Sequence, residues 1–145
     1  MRNEKKPFRA DNVGSLLRPK AIHEARAKKA KSEITAAQLK EVEDREIERV
    51  IRKQEEVGLK AITDGEFRRS WWHLDFLWGL DGAEKHVMDT GIKFAAVNTR
   101  NEGVQVTGKL GMSGPHAMVE HFKFVAAHTR QTPKITIPSP SAIYG

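Results

Sequence analysis

Asp64 and Glu66 flank a single glycine in the run Ile62-Thr63-Asp64-Gly65-Glu66, and two carboxylates so placed supply negative charge suited to an ammonium group. Val13-Gly14-Ser15 carries the complementary chemistry, because a glycine lets a ligand approach the backbone, and N–H and hydroxyl donors suit a carboxylate. Together the two segments form the halves of a clamp for a zwitterionic amino acid, one for each charge. Each also has a plainer reading: a tight turn at Gly14, and an acid that complements a helix dipole at Glu66. Trp72 and His73 follow the acidic loop closely enough to line the same pocket mouth, or to pack against one another.

The other histidines point to less chemistry. His116, His121 and His128 fall on or near one predicted helix, with the last two seven residues apart on one face. No His-Glu-x-x-His pattern accompanies them, and two helical histidines two turns apart do not converge on an ion without further ligands. No metal site is assigned to them.

The elements that position these residues follow from periodicity and punctuation. Thr35 followed by Gln38 has capping-box spacing, and Gly58 stands where a left-handed residue ends a helix, which predicts a long helix over 36–57. Leu39, Val42, Ile47, Val50, Ile51 and Val57 share one face of it; Glu43, Glu46 and Gln54 project into the same sector and require polar partners. Residues 8–13 and 59–64 read as strands ending at the two halves of the clamp. Residues 20–31 read as a helix, 69–80 as helical or turn-rich, 103–109 as a third strand with 92–97 beside it, 115–130 as a helix, and 134–137 as a last strand closed by Pro138-Ser139-Pro140. Alternation of this kind predicts an α/β fold with about four parallel strands and crossover helices, and in such folds ligands gather at the carboxyl ends of the strands. The two candidate architectures are half of a (β/α)8 barrel and an open doubly wound sheet.

Composition narrows the partners. The chain has 145 residues, 25 Lys plus Arg against 19 Asp plus Glu, a net charge of +6, and no cysteine. A disulfide framework, a thiolate zinc site and a cysteine nucleophile are excluded within it. The basic balance favours an anionic partner, and a nucleic-acid-binding α/β module is the alternative function. The basic residues are dispersed and not interleaved with aromatics, which weighs against it. No apolar run approaches the roughly 20 residues of a membrane span, and the polar start lacks a secretory signal, so a cytoplasmic protein with no membrane role is expected.

Phe8-Arg-Ala-Asp-Asn-Val-Gly-Ser-Leu-Leu-Arg-Pro19, Gly58-Leu-Lys-Ala-Ile-Thr-Asp-Gly-Glu-Phe-Arg-Arg69, Trp72-His-Leu-Asp-Phe76 and Ile137-Pro-Ser-Pro-Ser141 resemble the cobalamin-independent methionine synthase family, above all its shorter members built around the catalytic barrel alone. The resemblance runs from about Phe8 to Ser141. It implies a (β/α)8 TIM barrel that transfers a methyl group from 5-methyltetrahydrofolate to the thiolate of homocysteine held on zinc, in methionine biosynthesis. It further implies that Val13, Gly14 and Ser15 meet the amino-acid substrate and that Glu66 contacts its amino group; Asp64, Trp72 and His73 are expected as pocket lining. The family's zinc ligands, which include cysteines, belong to later strands and are expected beyond Gly145, so no metal ligand and no complete catalytic set is assigned here. Residues 1–145 are accordingly expected to be the first half of the barrel, ending after about strand four. Such a fragment is expected to be inactive alone and able to self-associate through open sheet edges.

Overall fold

The computed structural model describes residues 11–89, 93–94, 97–98 and 100–143. The chain divides into two compact units, with breaks after Arg69, Val119 and Thr136.

The first unit is built on two helices and a parallel strand pair. Helix α1 (Lys20–Ala30) follows Pro19 and carries Lys28 and Lys29 in its last turn, where cations complement the helix dipole. Helix α2 (Ala36–Glu56) begins with the capping box: Thr35 Oγ1 accepts from the Gln38 N–H at 3.2 Å, and Gln38 Oε1 accepts from the Thr35 N–H at 2.8 Å. It ends at Gly58, whose φ of +87° lets the Gly58 and Leu59 N–H groups close back on the carbonyls of Glu55 and Gln54. Strand β1 (Ala61–Ile62) leads into the loop that bears Asp64 and Glu66. Ile22, Ile47, Ile51, Ile62, Phe67 and Val125 form the buried core, with Leu16, Val50, Leu59 and Phe124 against it. Val57 was expected on the core face of α2 and is instead 63% exposed, because the chain is already turning out of the helix there.

The second unit is an antiparallel excursion. A short helix α3 (Leu74–Leu77) precedes strand β2 (Asp81–Val87), and β3 (Lys93–Phe94) pairs antiparallel with β4 (Val97–Asn98). Strand β5 (Glu102–Gly111) pairs antiparallel with β2, Ala83 opposite Val106 and Val87 opposite Glu102. The ladder is irregular between Asp81 and Ala83, at Gly82 (φ +73°), where a Cβ would meet the Lys109 carbonyl oxygen at 2.6 Å. Helix α4 (Ala117–His128) begins in this unit and ends in the first. His116 precedes it: its Nδ1 accepts from the Met118 N–H at 3.1 Å and its Nε2 lies 3.0 Å from the Phe76 carbonyl oxygen. Gly79 sits where a Cβ would be 2.1 Å from that ring, so this histidine has a structural post.

Strand β6 (Thr132–Pro133) returns to the first unit and pairs parallel with β1, Ala61 opposite Thr132 and Ile62 opposite Pro133. Thr132 and Lys134 donate their N–H groups to the Lys60 and Ile62 carbonyls at 3.1 and 2.8 Å; Pro133 lies between them, where its nitrogen faces away from β1. The chain then ends its described course in a 3-10 turn, Pro140–Ile143.

The α/β class stands, and four strand expectations are corrected or bounded. Residues 103–109 are not a parallel strand of the sheet but part of the β2–β5 hairpin. The physical reason is legible in hindsight: a strand covered on both faces reads as a near-continuous apolar run, whereas 103–109 alternates as a two-faced antiparallel ribbon does. The last strand lies at 132–133 rather than 134–137, its hydrogen bonding ending at Lys134. Of the expected strand at 8–13, residues 8–10 lie outside the described residues and 11–13 are not in a strand; of 92–97, residues 92, 95 and 96 lie outside them.

Two substitutions test this framework. Gln54 bridges α2 to the end of β1, its Nε2 donating to the Thr63 carbonyl at 2.8 Å and its Oε1 accepting from the Thr63 N–H at 3.1 Å. Gln54→Leu strands both buried backbone groups and is expected to cost about 2–4 kcal/mol in urea unfolding, against under about 0.5 for Glu56→Gln on the exposed face. Thr35→Ala removes the reciprocal cap and is expected to cost about 1 kcal/mol by the same measurement.

Candidate functional site

The acidic loop after β1 is buried almost throughout, residues 61–67 and Arg69 all lacking solvent exposure. A buried irregular backbone must find its hydrogen bonds locally. The Thr63 hydroxyl accepts from the Gly65 N–H at 3.0 Å, and Asp64 Oδ1 accepts from the Glu66 N–H at 2.8 Å, so the side chains of the loop build its turn. Gly65 and Glu66 both adopt left-handed backbone, φ +65° and +58°. At Gly65 a Cβ would meet the Phe67 ring at 2.9 Å and Leu16 at 3.3 Å. For Glu66 that conformation is strained, and strain held by surrounding structure is concentrated at functional sites.

Two guanidinium groups hold the loop's carbonyls. Arg18 donates to the Glu66 and Arg69 oxygens at 2.9 and 3.0 Å; Arg26 donates to those of Phe67 and Arg69 at 2.7 and 3.1 Å. The Glu66 carboxylate, 5% exposed, accepts from the Thr136 hydroxyl at 2.7 Å and faces Arg69 Nη1 at 3.4 Å. Arg69 also donates to the Thr136 carbonyl, which ties the loop to the chain following β6. Asp64 is 4% exposed, and its Oδ2 is buried with no hydrogen-bond partner among the described residues.

The other half of the expected clamp lies alongside. The Leu16 N–H donates to the Gly65 carbonyl at 3.1 Å, which brings the Gly14-Ser15 turn against the acidic loop. Gly14 has φ +84°, and its carbonyl accepts from Asn12 Nδ2 at 2.9 Å. Ser15 is exposed, and Val13 is 84% exposed, so its side chain points to solvent while its neighbours form the turn. Lys134 fastens the segment by bonding the Asp11 carboxylate and the Asn12 carbonyl. Val13, Gly14, Ser15, Asp64 and Glu66 therefore all belong to the first unit.

Trp72 and His73 belong to the second unit, where they line a cavity with Trp71, Met88, Arg100 and Glu102. The imidazole of His73 packs against Trp72 at 4.4 Å, and burial pushes its pKa below the usual histidine value against the opposing charge of Asp75. Sequence reasoning did not single out Arg18, Arg26, Arg69 or Thr136. Arg18 and Arg69 stood inside quoted motifs, but arginine-to-carbonyl bonds across more than 40 residues leave no spacing signal.

Among the described residues no group of three or more His, Cys, Asp or Glu is arranged to hold a metal ion, and the sequence has no cysteine. The residues present do not amount to a zinc donor set. Nor is any helix among the described residues long and apolar enough to cross a membrane.

The family model for the cobalamin-independent synthase catalytic domain matches residues 8–123. The chain is 48% identical over 143 residues to the uncharacterized protein YxjH of Bacillus subtilis, covering 99% of this chain and 38% of that one. A crystal structure of a putative vitamin-B12-independent methionine synthase from Listeria monocytogenes superposes with a TM-score of 0.76 at 43% identity, over 95% of this chain and 38% of that one. A 5-methyltetrahydropteroyltriglutamate–homocysteine methyltransferase of Thermosynechococcus vestitus is 38% identical over 64 residues, 44% of this chain and 8% of that enzyme. The chain thus spans 38% of the length of YxjH. The likeness assigns the open parallel pair and its helices to the first half of a (β/α)8 barrel, not to a closed one or to a doubly wound sheet. With its acidic loop at the carboxyl end of β1 and a family match over residues 8–123, the chain belongs to the cobalamin-independent synthase catalytic-domain family.

Proposed function

We propose that the first unit carries the amino-acid-binding part of a methyl-transfer site, in which Glu66 and Asp64 receive the ammonium group of a thiol amino acid and the Gly14-Ser15 turn receives its carboxylate. The observation that carries this reading is the pair of buried carboxylates at the carboxyl end of β1, one of them with an oxygen lacking any hydrogen-bond partner among the described residues. A buried acceptor without a donor costs free energy unless a ligand supplies one. An ammonium group brings three donors, and Glu66 is already oriented by Thr136 and Arg69. Val13 contributes backbone and not side-chain contact, since its side chain faces solvent.

Homocysteine is the acceptor that fits this reading best, because the methyltransferase of Thermosynechococcus vestitus is named for it and for a methyltetrahydropteroyl donor. A folate methyl donor and a thiolate held on zinc come with the same reading. When bound, zinc would keep the thiol deprotonated at neutral pH. Among the described residues no set of ligands for it is assembled. The work of these residues is to bind and orient the amino acid: the two carboxylates fix the ammonium, the Gly14-Ser15 turn fixes the carboxylate, and the thiol end is left to project away from both.

Calorimetric titration of the purified chain with L-homocysteine and with 4-mercaptobutyrate, which lacks the amino group, tests the assignment. Glu66→Gln keeps an acceptor for Thr136 while removing the charge, and is expected to weaken homocysteine binding about tenfold or more and leave 4-mercaptobutyrate unchanged. Ser15→Ala is expected to weaken both a few-fold, since the backbone donors remain. Equal homocysteine affinity in Glu66→Gln and the parent chain, or no homocysteine binding to the parent, rejects the reading.

A further inference from the structure

The two halves of the clamp meet through backbone oxygens: the Leu16 N–H donates to the Gly65 carbonyl at 3.1 Å, and Arg18 to the Glu66 carbonyl at 2.9 Å. Those two bonds place the chain without fixing the groups that would meet a ligand. Packing gives the Gly14-Ser15 turn little help, since Val13 and Ser15 are exposed and a Cβ at Gly14 would find nothing within 4 Å. The Glu66 carboxylate stands on a flexible stem, and holding such a side chain in one orientation costs rotamer entropy. Both groups therefore need tethers, and both find them in one short stretch of chain.

That stretch is Lys134-Ile135-Thr136, directly after β6. Its backbone is anchored, because the Lys134 N–H donates to the Ile62 carbonyl of β1 at 2.8 Å. From that anchor the Lys134 ammonium reaches the Asp11 carboxylate and the Asn12 carbonyl, and Asn12 Nδ2 passes the constraint on to the Gly14 carbonyl at 2.9 Å. Two residues further on, the Thr136 hydroxyl donates to Glu66 Oε1 at 2.7 Å. Arg69 closes the circuit, with Nη1 3.4 Å from the same oxygen and Nη2 on the Thr136 carbonyl. Among the described residues both bonds to the Glu66 carboxylate fall on Oε1, which leaves Oε2 for a ligand's donor. A hydroxyl suits this post: it orients the carboxylate through a charge-assisted bond and adds no positive charge to compete with an ammonium. All of these residues belong to the first unit.

Resting on the amino-acid clamp proposed above, we infer that Thr136 and Lys134 are its positioning residues, Thr136 aiming the Glu66 carboxylate at the ammonium and Lys134 holding the Gly14-Ser15 turn for the carboxylate. Each residue thereby serves one end of the ligand, whereas a purely structural role would serve both ends alike.

Three ligands separate the two ends: L-homocysteine, 4-mercaptobutyrate, which lacks the ammonium, and 3-aminopropane-1-thiol, which lacks the carboxylate. Each is titrated into the full chain and followed by backbone amide resonances, which read millimolar affinities. Thr136→Val is expected to weaken homocysteine and the aminothiol about five- to tenfold and to leave 4-mercaptobutyrate unchanged. Thr136→Ser keeps the hydroxyl and is expected to hold homocysteine affinity within about twofold of the parent. Lys134→Met is expected to give the mirror pattern, with homocysteine and 4-mercaptobutyrate weakened about fivefold and the aminothiol unchanged. In a Glu66→Gln background Thr136→Val is expected to add less than about twofold, because the charge it aims is gone. Parallel weakening of all three ligands in either variant, unchanged homocysteine affinity in Thr136→Val or Lys134→Met, or failure of Thr136→Ser to preserve binding overturns the assignment while the clamp stands. No homocysteine binding to the parent, or unchanged affinity in Glu66→Gln, rejects the clamp and the assignment with it.

Discussion

The carbonyl oxygens of the loop after β1 are the constraint around which the first unit is organised. Glu66, Phe67 and Arg69 carry backbone acceptors in a region closed to water, and the left-handed turn at Gly65-Glu66 prevents them from entering a ladder. Arg18 and Arg26 satisfy them, each guanidinium spanning two carbonyls. That requirement fixes the start and the body of α1 against the loop. It propagates into α2, because Glu43 lies 3.5 Å from both Arg26 and Arg68 and Asp44 pairs with Arg68. Burial pushes the Glu43 carboxyl above its usual value, against the pull of these two guanidiniums. Removing Arg26 would thus leave the Phe67 carbonyl bare and the buried Glu43 short of one guanidinium, which costs more than either loss alone.

The two units divide the work between backbone types. In the first, a parallel strand pair ends in a strained acidic loop whose position is over-determined by helices, which suits recognition of a small charged group at fixed distance. In the second, an antiparallel ribbon presents aromatic side chains and charges on its own local scaffold, with Glu102 joining Trp71, Lys85 and Arg100 at one end of β5. Hydrogen bonds from Lys85 and then from Trp71 hold the Glu102 carboxyl below its usual value, so the acid stays charged where the cations need it.

Much of the first unit was legible in the amino-acid order because its signals are local. Thr35 and Gln38 announced one end of α2 and Gly58 the other, and the buried acids and amide on its inner face required the partners they have in Arg26, Arg49 and Thr63. Asp64 and Glu66 follow a strand, as expected, whereas Gly14 and Ser15 follow residues 11–13, which are not in one; all four nonetheless share one unit. What sequence could not convey is non-local. The direction of a strand depends on its partner, so the alternation of Val104, Val106 and their polar neighbours marked a strand without marking it antiparallel. The arginines that hold the loop act through backbone oxygens, which carry no residue identity to search for. Trp72 and His73 follow Glu66 closely in sequence, yet a unit boundary after Arg69 intervenes.

Pro133 bears on what this chain can become in the company of other chains. Its ring nitrogen occupies the side of β6 turned away from β1 and can offer no hydrogen there, so an approaching strand would find a carbonyl acceptor at that position and no donor beside it. A growing ladder needs both in alternation. The residue costs the native pairing nothing, since Thr132 and Lys134 make the bonds to β1, and it leaves the outer side of β6 a poor template for indiscriminate extension. A strand that does add there must be one whose own pattern tolerates the missing bond, and the sheet so acquires a preference among neighbours before any side chain has made contact.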